Sequence, residues 1–208
     1  TQQGIRVAPT DFRAEWKQNQ QTAAISGSAS ASFLDLATLG TLATYMPLDA
    51  RSRELLQKHQ PQGRITELRA TWGLEGEVLK RYSLKAGFSQ MGIRPGGYFP
   101  GASGLAGSID LSDKGGNLLL DAGVSSLSLP AIFPEPDTSL DTLKARANWK
   151  ISGDIVDVKL EKLDFAGPDA AGSARGTYRY TGEGPGEIDL VATVDRADSR
   201  AVWRYMPH

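Results

Sequence analysis

The sequence has no cysteine, only two histidines, little that reads as helix and no long apolar run. Each shortage removes a class of function. Without cysteine there are no disulfides, thiol nucleophiles or thiolate metal sites, and the redox compartment stays open. The histidines, His59 and His208, have no supporting spacing around them, so neither reads as a metal ligand or as the base of a Ser-His-Asp arrangement. No stretch approaches the ~20 apolar residues that a membrane-spanning helix requires. Charge of one sign is also missing. With 23 positive and 24 negative residues the net charge is −1, which gives no electrostatic reason to expect nucleic acid or an anionic membrane surface. The opening residues lack the basic and apolar blocks of a signal peptide. Both ends look cut, so the chain is expected to be a piece of a larger protein whose targeting signals lie outside it.

Alternation is what the chain has in quantity. Leu143, Ala145, Ala147, Trp149 and Ile151 are interleaved with Lys144, Arg146, Asn148 and Lys150. Tyr82 to Phe88, Ala174 to Tyr180 and Ile188 to Val194 follow the same period of two. Side chains on a strand point to opposite faces in turn, so each run describes a strand with one apolar and one wetter face. That pattern belongs to antiparallel sheet, because parallel strands are usually buried on both faces. Two runs slip phase by one residue, between Ile65 and Leu68 and between Leu160 and Leu163. A β-bulge keeps one face apolar through such a slip and bends the sheet. Turn signals separate the runs at 113–116, 152–154, 167–169 and 181–186. Helix is expected at Ala50 to His59, capped by Asp49 and stopped by Pro61. Shorter helical stretches are expected at Leu36–Thr44 and Arg196–Arg204, each halted before a proline.

The chain also repeats itself. Asp35-Leu36-Ala37 is followed eight residues on by Tyr45-Met46-Pro47, and Asp195-Arg196-Ala197 by Tyr205-Met206-Pro207. The copies align without a gap at an offset of 205 − 45 = 160 residues. A fixed-period repeat points to an array of modules. The expected division is 1–47, the end of a preceding module, and 48–208, one module closing on Tyr-Met-Pro.

Sites of chemistry are hard to assemble. Asp110, Asp121, Asp157, Asp164 and Asp189 mostly sit on the polar side of apolar strands, where solvated strand faces explain them better than paired general acids. The glycines between Gly101 and Gly107 are not followed by Lys-Ser/Thr and a helix, so they are expected to form a loop without a phosphate cradle. Tyr178 and Tyr180 share the apolar face while Arg179 points away, which makes a poor base-stacking platform. No catalytic residue, metal site or cofactor emerges. The apolar face itself remains: Leu118, Leu120, Leu127, Leu129, Leu143, Ala147, Trp149, Val156, Val158, Leu160, Tyr178, Ile188 and Leu190. It could be half of a closed sandwich core or an open curved surface for an apolar ligand. Periodicity alone favours the closed core.

The order of motifs, however, resembles the periplasmic part of the YhdP family, within the AsmA-like superfamily that includes TamB. The matching pieces are Asp35 to Pro47, Pro61-x-Gly63 leading to Trp72, Pro100-Gly101 with Leu105-x-Gly107, and Leu127-x-Leu129-Pro130. Trp149, Pro185-Gly186-x-Ile188-Asp189-Leu190 and Arg204-Tyr205-Met206-Pro207 follow. The closing motif is often Tyr-Leu-Pro in that family, so Met206 is a volume-conserving departure. The resemblance runs from about Ser26 onward. It implies a mainly β fold, a strongly twisted antiparallel sheet forming an open, taco-like apolar groove, with two or three short helices. It further implies a segment of a long protein of Gram-negative bacteria, anchored in the inner membrane, that carries phospholipid through the periplasm to the outer membrane. The implied partners are phospholipid acyl chains, neighbouring modules of the same chain and envelope proteins. The alternative is a structural or docking β module with a closed sandwich core that binds another envelope protein. An enzyme is not implied by either.

Overall fold

The computed structural model describes residues 10–18, 24–42, 50–76, 78–96, 100–131, 133 and 135–205. Twelve strands dominate: β1 (Phe12–Gln18), β2 (Ile25–Asp35), β3 (Gln62–Glu75), β4 (Val78–Ile93), β5 (Gly101–Ser112) and β6 (Gly115–Ala122). They continue as β7 (Ser125–Ser128), β8 (Asp137–Leu140), β9 (Thr142–Ser152), β10 (Ile155–Ala166), β11 (Ala170–Tyr180) and β12 (Glu187–Ala197). Helix α1 (Leu36–Leu42) and helix α2 (Ala50–His59) lie between β2 and β3, and a 3-10 turn spans Val202–Tyr205.

All strands join one antiparallel sheet in the order β1-β2-β3-β4-β5-β6-β9-β10-β11-β12. Strands β7 and β8 leave this path as an arm: β7 pairs with the start of β5 and with β8. The connections sort by side. At one rim run short hairpin connections, including Asp113–Lys114, Gly153–Asp154 and residues 181–186. The opposite rim carries α1, α2, the β7–β8 arm, the Gly167–Asp169 turn and the C-terminal 3-10 turn.

The phase slips are bulges, as the alternation requires. In β3 the register against β4 shifts between Thr66 and Arg69, with Glu67 at φ 52°. In β10 it shifts just after Leu160, so that Leu160 and Leu163 face the same side as Ala147 and Ala145 of β9. Without the extra residue the second half of β10 would turn its apolar side chains to water.

Helix α1 begins where Asp35 Oδ1 accepts the Thr38 backbone N–H at 2.9 Å. This N-cap bond holds the Asp35 carboxyl below the usual carboxylate range. Helix α2 occupies the range expected from sequence; Asp49 and Tyr45-Met46-Pro47 lie outside the described residues. Its C-terminus is tied to the end of β4 by the Arg94 N–H donating to the His59 carbonyl at 2.8 Å. The His59 ring adds a bond from Nδ1 to the Arg94 carbonyl at 3.0 Å.

Three expectations are corrected. The stretch Arg196–Arg204 is not one helix: β12 runs on to Ala197, Asp198 closes a turn on Arg200 and Ala201, and only Val202–Tyr205 is helical. Pairing with β11 holds the strand longer than local propensity suggests, since Ala197 is still opposite Ala170. Gly101 to Gly107 is not a loop but the first half of β5, paired with β4 on one side and with β7 and β6 on the other. Its glycines allow close approach: a Cβ at Gly107 would overlap the Leu119 carbonyl. Leu129 falls outside the strands, in the connection after β7, where its N–H donates to the Pro136 carbonyl at 2.8 Å.

No sandwich core forms among the described residues. The buried apolar residues are Ala31, Ala86, Ala122, Leu140, Leu143 and Ala201. The chain exposes 14535 Å², whereas a compact monomer of 22.3 kDa would expose about 9,400 Å² by the scaling of folded proteins. The small core sits at one end of the sheet, where Leu127 and Leu140 of the arm meet Ala122, Leu143, Leu120, Leu163, Phe165 and Leu105.

Candidate functional site

Cross-strand register places the predicted stripe on a single face. Leu118 opposes Ala147, which opposes Leu160, then Gly176, then Leu190. One row nearer the hairpin rim, Trp149 opposes Val158, Tyr178 and Ile188 in turn. Leu120 lies opposite Ala145, and Leu143 opposite both Ala122 and Phe165. Val156 completes the set opposite Tyr180. Leu127 joins through the arm, packing on the Ala122–Leu143 cluster. Leu129 is the one predicted residue that the sheet does not carry.

The same face continues across the N-terminal half, which the sequence reading did not include. Ile109 links Leu118 to Ala86, and Leu84 links Leu111 to Ala70. Trp72 opposes Gly27, which opposes Trp16; Ala31 opposes Phe12. The signal was present as Ile25, Gly27, Ala29 and Ala31 alternating with Ser26, Ser28 and Ser30, but small residues make a faint stripe. Trp72 and Trp149 each lie over a glycine of the neighbouring strand. A Cβ at Gly27 would overlap the Trp72 ring, and one at Gly116 would come 2.6 Å from Trp149 Cζ2.

This face is only half shielded. Trp149, Val158, Leu160 and Tyr178 are half-buried by their neighbours in the sheet. Toward the edge strands exposure rises to 73% for Trp16 and 72% for Ile188.

The opposite face is polar and carries cross-strand ion pairs. Lys85 reaches Asp110 at 3.4 Å, Lys144 reaches Asp121 at 3.2 Å and Arg179 reaches Asp157 at 3.5 Å. Each is a direct cross-strand neighbour, and each pair is exposed, so it contributes little stability but satisfies register. A recess of about 540 Å³ on this face is lined by Lys85, Asp110, Asn117, Leu119, Arg146 and Glu161, among others. Asp110, Asp121 and Asp157 are thus cross-strand partners of lysine and arginine, Asp164 pairs with Lys162 at 2.8 Å, and Asp189 lies opposite Thr177. No group of side chains that could hold a metal ion occurs among the described residues.

The far rim is latched by the chain end. Asp169 accepts from Arg204 Nη1 and from the Tyr205 hydroxyl, both at 2.9 Å. Arg204 also donates to Glu135, and Tyr205 meets Phe133 edge to face at 6.0 Å. Burial first, then the Asp169 carboxylate, push the Tyr205 hydroxyl above its usual pKa. The arm is thus pinned across the ends of β10 to β12.

The described residues thus form an open sheet with one continuous apolar face and one polar face that carries cross-strand ion pairs. In comparison with known protein families the chain matches the YhdP protein family over residues 1–208. The chain belongs to the YhdP family. No curated protein and no solved structure matches it. No described helix is long and apolar enough to cross a membrane.

Proposed function

We propose that this chain is a periplasmic segment of a bridge-like lipid transfer protein, and that phospholipid acyl chains travel along its apolar face between inner and outer membrane. The observation that carries the reading is the apolar register from β1 to β12 on a sheet that no second layer covers among the described residues. Membership of the YhdP family supports it. Each methylene removed from water contributes ~0.8 kcal/mol, so a sixteen-carbon chain has on the order of 10 kcal/mol at stake. A trough of that kind shields tails without a specific headgroup pocket, and none is needed for sliding. In this reading residues 48–208 form one module, 1–47 end the preceding one, and neighbouring modules extend the sheet from its open edges at β1 and β12. The rest of the protein supplies the inner-membrane anchor.

Photocrosslinking in cells tests this in the full-length protein. Probes at Trp149 and Tyr178 should capture lipid, while probes at Arg146 and Arg179, on the polar face, should not. Capture of protein alone at positions 149 and 178 would replace lipid conduction with a docking role for this face.

A further inference from the structure

The aromatic residues of the apolar face are sorted by type along the strands. Every tryptophan and tyrosine carried by a described strand lies in the half nearer the hairpin rim: Trp16, Trp72, Tyr82, Trp149, Tyr178 and Tyr180. Each phenylalanine that the register places on this face lies in the half nearer the helices and the arm: Phe12, Phe88 and Phe165. The tyrosine tips point to the rim itself. Tyr178 donates to the Pro185 carbonyl at 3.1 Å and Tyr180 to the Gly182 carbonyl at 2.8 Å, both in the β11–β12 turn.

Fold stability does not demand this sorting, because both halves face the same side of the same sheet. An amphiphilic ligand would produce it. Indole and phenol rings pair an apolar body with one polar handle and concentrate where hydrocarbon meets water, whereas phenyl rings have no handle and stay with hydrocarbon. We infer that the hairpin rim is the headgroup rim of the trough, so that a bound acyl amphiphile lies along the strands with its head at the Trp/Tyr row and its tail toward Phe88, Leu163 and Phe165. The strands are long enough for this. Tyr82 and Phe88 are six residues apart on β4, about 20 Å at ~3.4 Å per residue, against ~15 Å of hydrocarbon in one leaflet. The far end is then the closed one, where the arm packs Leu127 and Leu140 on Leu143 and Phe165. This orientation rests on the lipid reading above and adds a direction that the reading does not contain.

The test uses pairs of positions on one strand and one face. Single cysteines replace Tyr82 or Phe88 on β4, and Ile188 or Val194 on β12, in the full-length protein with any other cysteine removed. Each carries a small fluorophore. The β12 pair is 72% and 60% exposed, so those labels require no repacking and carry the test if a β4 variant fails to keep its strand circular dichroism. The labelled protein is mixed with phosphatidylcholine vesicles bearing a nitroxide on the headgroup or on carbon 16 of one chain. Headgroup nitroxide should quench positions 82 and 188 at least threefold more than 88 and 194, and chain nitroxide should show the reverse. Equal or inverted ratios would overturn the orientation while leaving lipid binding intact. Absence of quenching by either probe at all four positions would remove the lipid reading and this inference together.

Discussion

At the scale of single residues, a few side chains and glycines decide local geometry. Asp35 caps α1 through the Thr38 N–H, and that bond holds its carboxyl below the ordinary range. A depressed carboxyl pKa contributes stability that is present above the unfolded value of about 3.9 and is lost as pH falls through the folded value. Asp35→Ala should therefore cost about 1 kcal/mol at neutral pH and progressively less below pH 4. Asp35→Asn should keep most of the cap without that acid dependence. Urea titrations of both variants at pH 7 and pH 3.5 check it. Gly115 opens β6 at φ 137°, and a Cβ there would run into the Trp149 carbonyl. Gly115→Ala should cost about 2 kcal/mol. Gly153, at φ 63° with open space around it, should accept asparagine with little change in the same assay.

At the scale of elements, period-two alternation locates the strands because the sheet is wet on one side. The bulges were readable for the same reason, since a slip in phase can be hidden only by an extra residue. Glu161 is that residue in β10. Its carboxylate accepts from Asn148 at 2.9 Å but is exposed, so Glu161→Ala should change stability by less than about 0.5 kcal/mol. Deleting Glu161 should be far worse, because it turns either Val156, Val158 and Leu160 or Leu163 and Phe165 to the polar face. Loss of the cooperative thermal transition in the deletion, with the alanine variant intact, is the expected outcome. The helical reading of Arg196–Arg204 failed for a non-local cause: hydrogen bonding to β11 extended β12 through Arg196 and Ala197, the start of the stretch read as helix. The Gly101–Gly107 segment failed likewise, since strands on both sides of β5 hold residues that look like a loop in isolation.

At the scale of the whole molecule, what matters is how little is enclosed. In a closed sandwich every stripe residue would cost several kcal/mol to truncate. Here the cost should depend on position along the trough. Leu143, 5% exposed beneath the arm, should lose about 3 kcal/mol as Leu143→Ala. Leu190, 54% exposed on β12, should lose less than about 1 kcal/mol as Leu190→Ala. Denaturant midpoints of the two variants compare them directly, and a similar large loss at both would mean that the face is covered.

By itself the sequence determined that strands run through residues 82–88, 143–151, 174–180 and 188–194, which side of each is apolar, where two of the bulges fall and that α2 spans ten residues. These follow from periods of two and 3.6, from turn residues and from caps, all of which act over a few positions. The order of motifs pointed to the family. Only the tertiary structure decided that the apolar sides form one face of a single sheet, uncovered among the described residues, instead of two layers of a sandwich. It also extended that face to β1, closed one end of it with the β7–β8 arm and sorted tryptophan and tyrosine from phenylalanine across its width. The physical reason is the same in each case. Alternation states that a side avoids water, but what shields it depends on pairings between residues far apart in the chain, and a strand carries no local mark of its partner.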